Sequence, residues 1–205
     1  MAAKPVKPTK SKGKPGPVVP SRYQEALGTD EPLAVMSATP AIFQKLLKGY
    51  SEAQLSAHPE PGKWSVKEVL SHLADGEVVL GSRYRFIAAH DRPPIPGYDQ
   101  DAFVAMLGVE NATAVELLDD FSMARAVNLG LLLRLPEAAF SRVGLHSERG
   151  EESLRALVIL MAGHDRVHVE QVKRLLALLP KARKAAPKKK VAPKKTAKKP
   201  AARKR

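Results

Sequence analysis

His164 and His168 stand four residues apart in an apolar stretch of the chain. Imidazoles at i and i+4 of a helix project from one face and can converge on a single cation. The stripe around them is Leu154, Leu157, Met161, His164, His168, Val172, Leu175 and Leu179. Its steps of three and four place all eight on one helix face, the face that seeks the core. A third imidazole, His72, shares a face with Val69, Gly76 and Val79 at the same spacing. The alternative for any of these rings is a partly buried histidine bonded to backbone or to an aspartate. Three from two helices are harder to place that way, because each costs about 1–3 kcal/mol in desolvation until it finds a partner. One divalent cation would satisfy all three nitrogens. Three neutral ligands also leave a coordination position for water or substrate, the pattern of a reactive site.

Other residues stand near these by sequence. Asp75 follows His72 by three residues and Asp165 follows His164 directly. Either could orient a ligand ring through its second nitrogen, or simply face solvent. Arg125 falls near the apolar face Leu118, Phe121, Leu132. It could hold an anionic substrate group or snorkel to the surface. Tyr98, Asp99 and Asp101 lie in a long connection, 91–111, that reads as a crossover or a lid. There they could act as acid or base, or be solvated loop residues. His58, His90 and His146 lie outside the two motifs and read as surface residues. The chain has no cysteine, which excludes disulfides, thiolate metal sites and cysteine nucleophiles. Any thiol chemistry would need a small-molecule thiol.

Four helices must position these groups. The first is expected to begin at Thr39-Pro40, an N-cap followed by a first-turn proline, with a shorter helical piece near Ser21–Leu27. The second begins at Ser65, where Ser65 and Glu68 form an S-x-x-E capping box and Trp64 can staple onto Val69; it runs to about Ala89. The third begins with the box Thr113/Glu116 and runs to about Leu135, and the fourth runs from about Ser153 to Leu179. No run of alternating β-branched residues predicts a strand. The expected fold is all-α, a four-helix bundle.

The chain of 205 residues carries a net charge of +13, unevenly spread. Its 34 basic residues divide as 5 in residues 1–20, 16 in 21–180 and 13 in 181–205, while all 21 acidic residues lie in 21–180. A body of net charge −5 therefore sits between two basic arms. Both arms are Lys/Pro-rich and low in complexity, so both are expected to be disordered. Such arms either bind nucleic acid without reading sequence or act only as solubilising tails. The strongest apolar run, 156–162, is too short to cross a bilayer. The expected location is the cytoplasm, nucleoid-associated if the arms bind DNA. A homodimer is compatible with such a bundle, though no interface is legible.

The stretch Pro59 to Asp75, PEPGKWSVKEVLSHLAD, resembles the PGKWS-x-x-E-x-x-x-HL-x-D pattern of the DinB-like superfamily. His164-Asp165-Arg166-Val167-His168-Val169-Glu170-Gln171 resembles its closing H-x-x-x-H-x-x-Q signature. The resemblance covers roughly residues 21–180. It implies a four-helix bundle, a divalent cation such as Zn or Ni held by His72, His164 and His168, and metal-dependent transfer, isomerisation or hydrolysis of a small molecule, in some members with a low-molecular-weight thiol. The alternative is a non-catalytic, metal-stabilised bundle tethered to nucleic acid by its tails.

Overall fold

The computed structural model describes residues 19–180. The basic arms of residues 1–20 and 181–205, apart from Val19 and Pro20, lie outside the described residues. Helix α1 covers Ser21–Leu27, α2 Pro32–Leu47, α3 Glu52–Leu55 and α4 Val66–Ala89. A two-residue strand β1, Pro94–Ile95, precedes α5, Gln100–Met106, and α6, Ala114–Leu132. Strands β2, Val143–His146, and β3, Gly150–Ser153, lead into α7, Leu154–Leu178. The long helices α2, α4, α6 and α7 form the four-helix bundle. Both α2 and α4 pack on α6 and α7. α2 therefore lies diagonally across the bundle from α4, and α6 from α7, while α4 and α6 are neighbours, unlike the up-down arrangement that short loops favour.

The capping chemistry read from the sequence is present. Ser65 Oγ accepts from the Glu68 N–H at 3.2 Å, and Glu68 Oε2 accepts from the Ser65 N–H at 2.6 Å. Thr113 and Glu116 close the same box at the start of α6. Ser153 caps α7 by accepting from the Ala156 N–H at 3.1 Å.

The first long helix departs from expectation. It starts at Pro32, with Glu31 as its cap, and runs straight through Thr39-Pro40. Thr39 is buried and its hydroxyl donates to the Val35 carbonyl at 2.8 Å. A proline within a helix leaves the carbonyl four residues earlier without its N–H partner. That carbonyl belongs to Met36, and Arg125 Nη1 donates to it at 2.7 Å. A guanidinium from α6 thus replaces the missing helical bond, which is why Pro40 is tolerated.

The expectation of no strands is also corrected. β1 pairs in parallel with β2, and β2 antiparallel with β3, with Ile95 opposite His146 and His146 opposite Gly150. Ile95 is buried and packs into the core beside Ile87 and Tyr84. These strands are too short to carry a readable alternation. Their partners are brought together by the bundle.

The apolar core is in two parts. One holds Phe43, Leu70, Phe121 and Val172. The other holds Met36, Tyr84, Leu132, Leu157 and Met161. Along α4, α6 and α7 the buried polar residues Glu77, Arg125, Asn128, His164 and Asp165 fall between the two. The bundle therefore has a polar middle layer.

Candidate metal centre

His72 of α4 and His164 and His168 of α7 meet in this layer, all three buried. His72 Nε2 and His168 Nε2 each lie 3.0 Å from His164 Nε2. Their ligand atoms all fall within 4.8 Å of one another. The i, i+4 step brings His164 and His168 together, and the packing of α4 on α7 brings His72 to them. Trp64 packs on His72 with ring centroids 4.9 Å apart, so it backs a candidate ligand as well as contributing to the core.

The donor set fits a cation. His168 Nδ1 lies 2.7 Å from Gln171 Oε1. An amide oxygen only accepts, so the proton sits on Nδ1 and Nε2 presents its lone pair. One N–H, on His164, would then have to serve both 3.0 Å contacts. A single ion would satisfy all three nitrogens instead. Tetrahedral coordination at about 2.0–2.1 Å gives nitrogen–nitrogen edges of about 3.3 Å, close to the spacing found. Burial, and then His168, push the His72 imidazole down to about 3. Burial likewise pushes His168 down to about 4, against the opposing pull of Gln171. His164 is held well below the usual histidine range, first by burial. All three are neutral at pH 7, the form a metal ligand requires.

The structure places the remaining candidates elsewhere. Asp165 does not orient a ligand ring: Arg125 donates to both its oxygens, at 2.6 and 2.9 Å. Arg125 is neither on the surface nor facing a cavity. It is 1% exposed and also pairs with Glu77 at 2.8 Å. Burial works against its charge, but Asp165 and Glu77 hold it protonated beyond the usual arginine range. Asn128 donates to Glu77 Oε2 at 2.9 Å and completes the network. Asp75 is half-buried and bonds to no ligand ring among the described residues; one of its oxygens is buried without a partner. Asp99 caps α5 by accepting from the Asp101 and Ala102 N–H groups at 3.0 Å, and Asp101 is exposed. His58 pairs with Glu68 at 2.7 Å near the surface, and His90 is exposed. His146, read as a surface residue, is 3% exposed and lies on β2.

A cavity of about 230 Å³ opens beside His164, lined in part by Tyr23, Arg83, Tyr98, His146 and Arg149. Tyr98 comes from the 91–111 connection, so that segment does border the site. Helix α1 forms another wall. Tyr23 packs edge-on to His164 with centroids 5.7 Å apart. A Cβ on Gly163 would lie 2.1 Å from the Tyr23 carbonyl oxygen, so α1 seats here only because residue 163 is glycine. Sequence reading quoted Gln171 in the closing signature without giving it a role, read His146 as a surface residue, and missed Glu77, Gly163 and Arg83. Only Gln171 carried a local signal, its place one turn after His168.

Fold and site together define a four-helix-bundle protein with a buried three-histidine cluster bordering a cavity. The sequence pattern of the DinB superfamily matches residues 36–172, and the chain belongs to that superfamily. A Geobacillus kaustophilus protein named "putative metal-dependent hydrolase" is 28% identical over 154 residues, spanning 72% of this chain and 84% of its own. An Oceanobacillus iheyensis protein of the same description is 26% identical over 127 residues, 60% of this chain and 70% of its own. The solved structure of YfiT from Bacillus subtilis, described as having an unusual four-helix bundle topology, superposes with a TM-score of 0.66. It is 21% identical and covers 83% of this chain and 91% of its own.

Proposed function

We propose that His72, His164 and His168 hold one divalent cation and that the protein is a metal-dependent enzyme acting on a small molecule in the adjoining cavity. Hydrolysis is the reaction class that the relatives' names suggest. The observation that carries the reading is the convergence of three buried, neutral imidazoles around a common point. When bound, such a cation supplies Lewis acidity, polarising a substrate oxygen and lowering the pKa of a coordinated nucleophile. The protein's own contribution is positional. Gln171 holds the His168 tautomer, Trp64 backs the His72 ring, and α1 with Tyr98 narrows access to the cavity. With no cysteine in the chain, a transfer to sulfur would draw its thiol from a small cosubstrate.

Elemental analysis of the untagged full chain and of His168→Ala tests this. About one equivalent of metal is expected in wild type and a loss of at least tenfold in affinity in the variant. Equal metal content in the two would exclude the triad. Metal retained without turnover of ester, amide or thiol-transfer substrates would leave a metal-stabilised bundle.

A further inference from the structure

Besides His164 Nδ1, two buried hydrogen-bond donors on residues that line the cavity have no acceptor among the described residues. The first belongs to Arg83 on α4, which is 4% exposed. Its Nη2 donates to the Pro96 carbonyl at 2.7 Å, but its Nε–H is buried without a partner. Arg83 takes part in no ion pair among the described residues. Residues 1–18 and 181–205 contain no Asp or Glu that could supply one. The second donor belongs to His146 on β2. Its Nδ1 accepts from the Glu148 and Arg149 N–H groups at 3.1 and 3.4 Å. The neutral ring therefore carries its proton on Nε2, and that N–H is also buried without a partner.

The contrast with Arg125 is informative. That buried guanidinium receives two carboxylates and a backbone carbonyl, although its Nε too is buried without a partner. Arg83, also buried, receives one carbonyl and no carboxylate, and lines a cavity. Buried charges are ordinarily paired, so the missing partner is one that the described residues do not provide. Burial, and then Arg149, work against the Arg83 charge, as expected of a cation awaiting its counterion.

We infer that Arg83 and His146 form a subsite for the carboxylate of a small anionic substrate, which lies in the cavity with its other end toward His164. A carboxylate offers two acceptor oxygens and no donor, matching two donors that lack acceptors. An amide would turn an N–H₂ toward one of them. Arg149 also lines the cavity and is neutralised by Glu152, with bonds of 2.6 and 2.9 Å. Arg83 is thus left as the buried cation without an acid.

The subsite rests on the proposed metal centre only for which end of the substrate meets the histidines. Its test therefore uses the full chain freed of metal by chelation, so failure to bind carboxylate and failure to bind metal are read separately. Titration calorimetry with sodium succinate at constant ionic strength should show saturable one-to-one binding. Succinamide, its neutral counterpart, should show none. Arg83→Gln should weaken succinate binding by about tenfold or more, and Arg83→Lys by less, because it keeps the charge. Equal binding to wild type and Arg83→Gln would assign it to the Lys-rich arms and overturn the subsite. So would equal binding of succinamide, or no saturable binding at millimolar succinate. If Arg83→Gln does not fold, a crystal structure of the wild-type protein grown with succinate decides. A carboxylate within hydrogen-bond distance of Arg83 Nε and His146 Nε2 supports the subsite; a cavity without one refutes it.

Discussion

Replacing Arg125 with methionine removes the centre of the polar layer while keeping a long apolar stem. The structure sets the size of the effect. Arg125 bonds Met36 O at 2.7 Å, Asp165 at 2.6 and 2.9 Å, and Glu77 at 2.8 Å, with all three charged side chains essentially free of solvent. Breaking a buried ion pair by deleting one partner typically costs about 3–5 kcal/mol. Here it also exposes the Met36 carbonyl that Pro40 cannot serve. For a domain of this length, 1 kcal/mol shifts the melting temperature by roughly 2–4 °C, so a fall of about 6–20 °C is expected at pH 7. The pH dependence adds a sign. Burial, and then Glu77, raise the Asp165 carboxyl above its ordinary value even against Arg125; without the guanidinium the rise is larger. The folded variant then binds the extra proton and gains stability as pH falls, so its deficit relative to wild type should narrow between pH 7 and pH 5. Thermal denaturation followed by circular dichroism at both pH values measures this. Arg125→Met,Asp165→Asn should recover part of the loss, because it leaves fewer unpaired charges. A melting temperature within 2 °C of wild type, or a deficit that widens toward pH 5, would refute the assignment of Arg125 as the keystone of this layer.

Three further outcomes are expected. Gly163→Ala places a Cβ 2.1 Å from the Tyr23 carbonyl oxygen; it should displace α1 and make residues 21–27 faster to proteolysis, and unchanged cleavage would show that α1 does not seat there. In the metal-free protein the folded pKa values of His72 and His168, about 3 and about 4, lie below the unfolded value of about 6.5. The unfolded chain takes up those protons first, so stability present above pH 6.5 is lost as pH falls toward 4, by about 2 kcal/mol per histidine at pH 5; urea denaturation showing no loss between pH 7 and pH 5 would contradict the burial of these rings. The intact chain should retard DNA and RNA alike, with a log–log salt slope near −5 if about six cations engage phosphates, and deletion of 181–205 should abolish this with metal content unchanged; retention of binding by the truncated chain would exclude the arm as the contact.

Much of the site was written in local spacing. Helical period alone puts His164 and His168 on one face, and the Ser65/Glu68 and Thr113/Glu116 boxes mark two helix starts to the residue. These features depend on residues within one or two turns, where helix geometry ties sequence distance to spatial distance. The same local rule misplaced the start of α2, because Thr39-Pro40 has the form of a helix start and Glu31-Pro32 has it too. Only a guanidinium 85 residues further along the chain, Arg125, makes the interior proline tolerable. The strands, the seat of α1 against Gly163, the burial of His146 and the unpaired state of Arg83 are likewise absent from any local pattern. Each depends on contacts between segments far apart in the chain. Their free energy comes from desolvating groups that meet only once the bundle has closed, so only the tertiary structure decides whether a polar side chain there is paired, exposed or left waiting for a ligand.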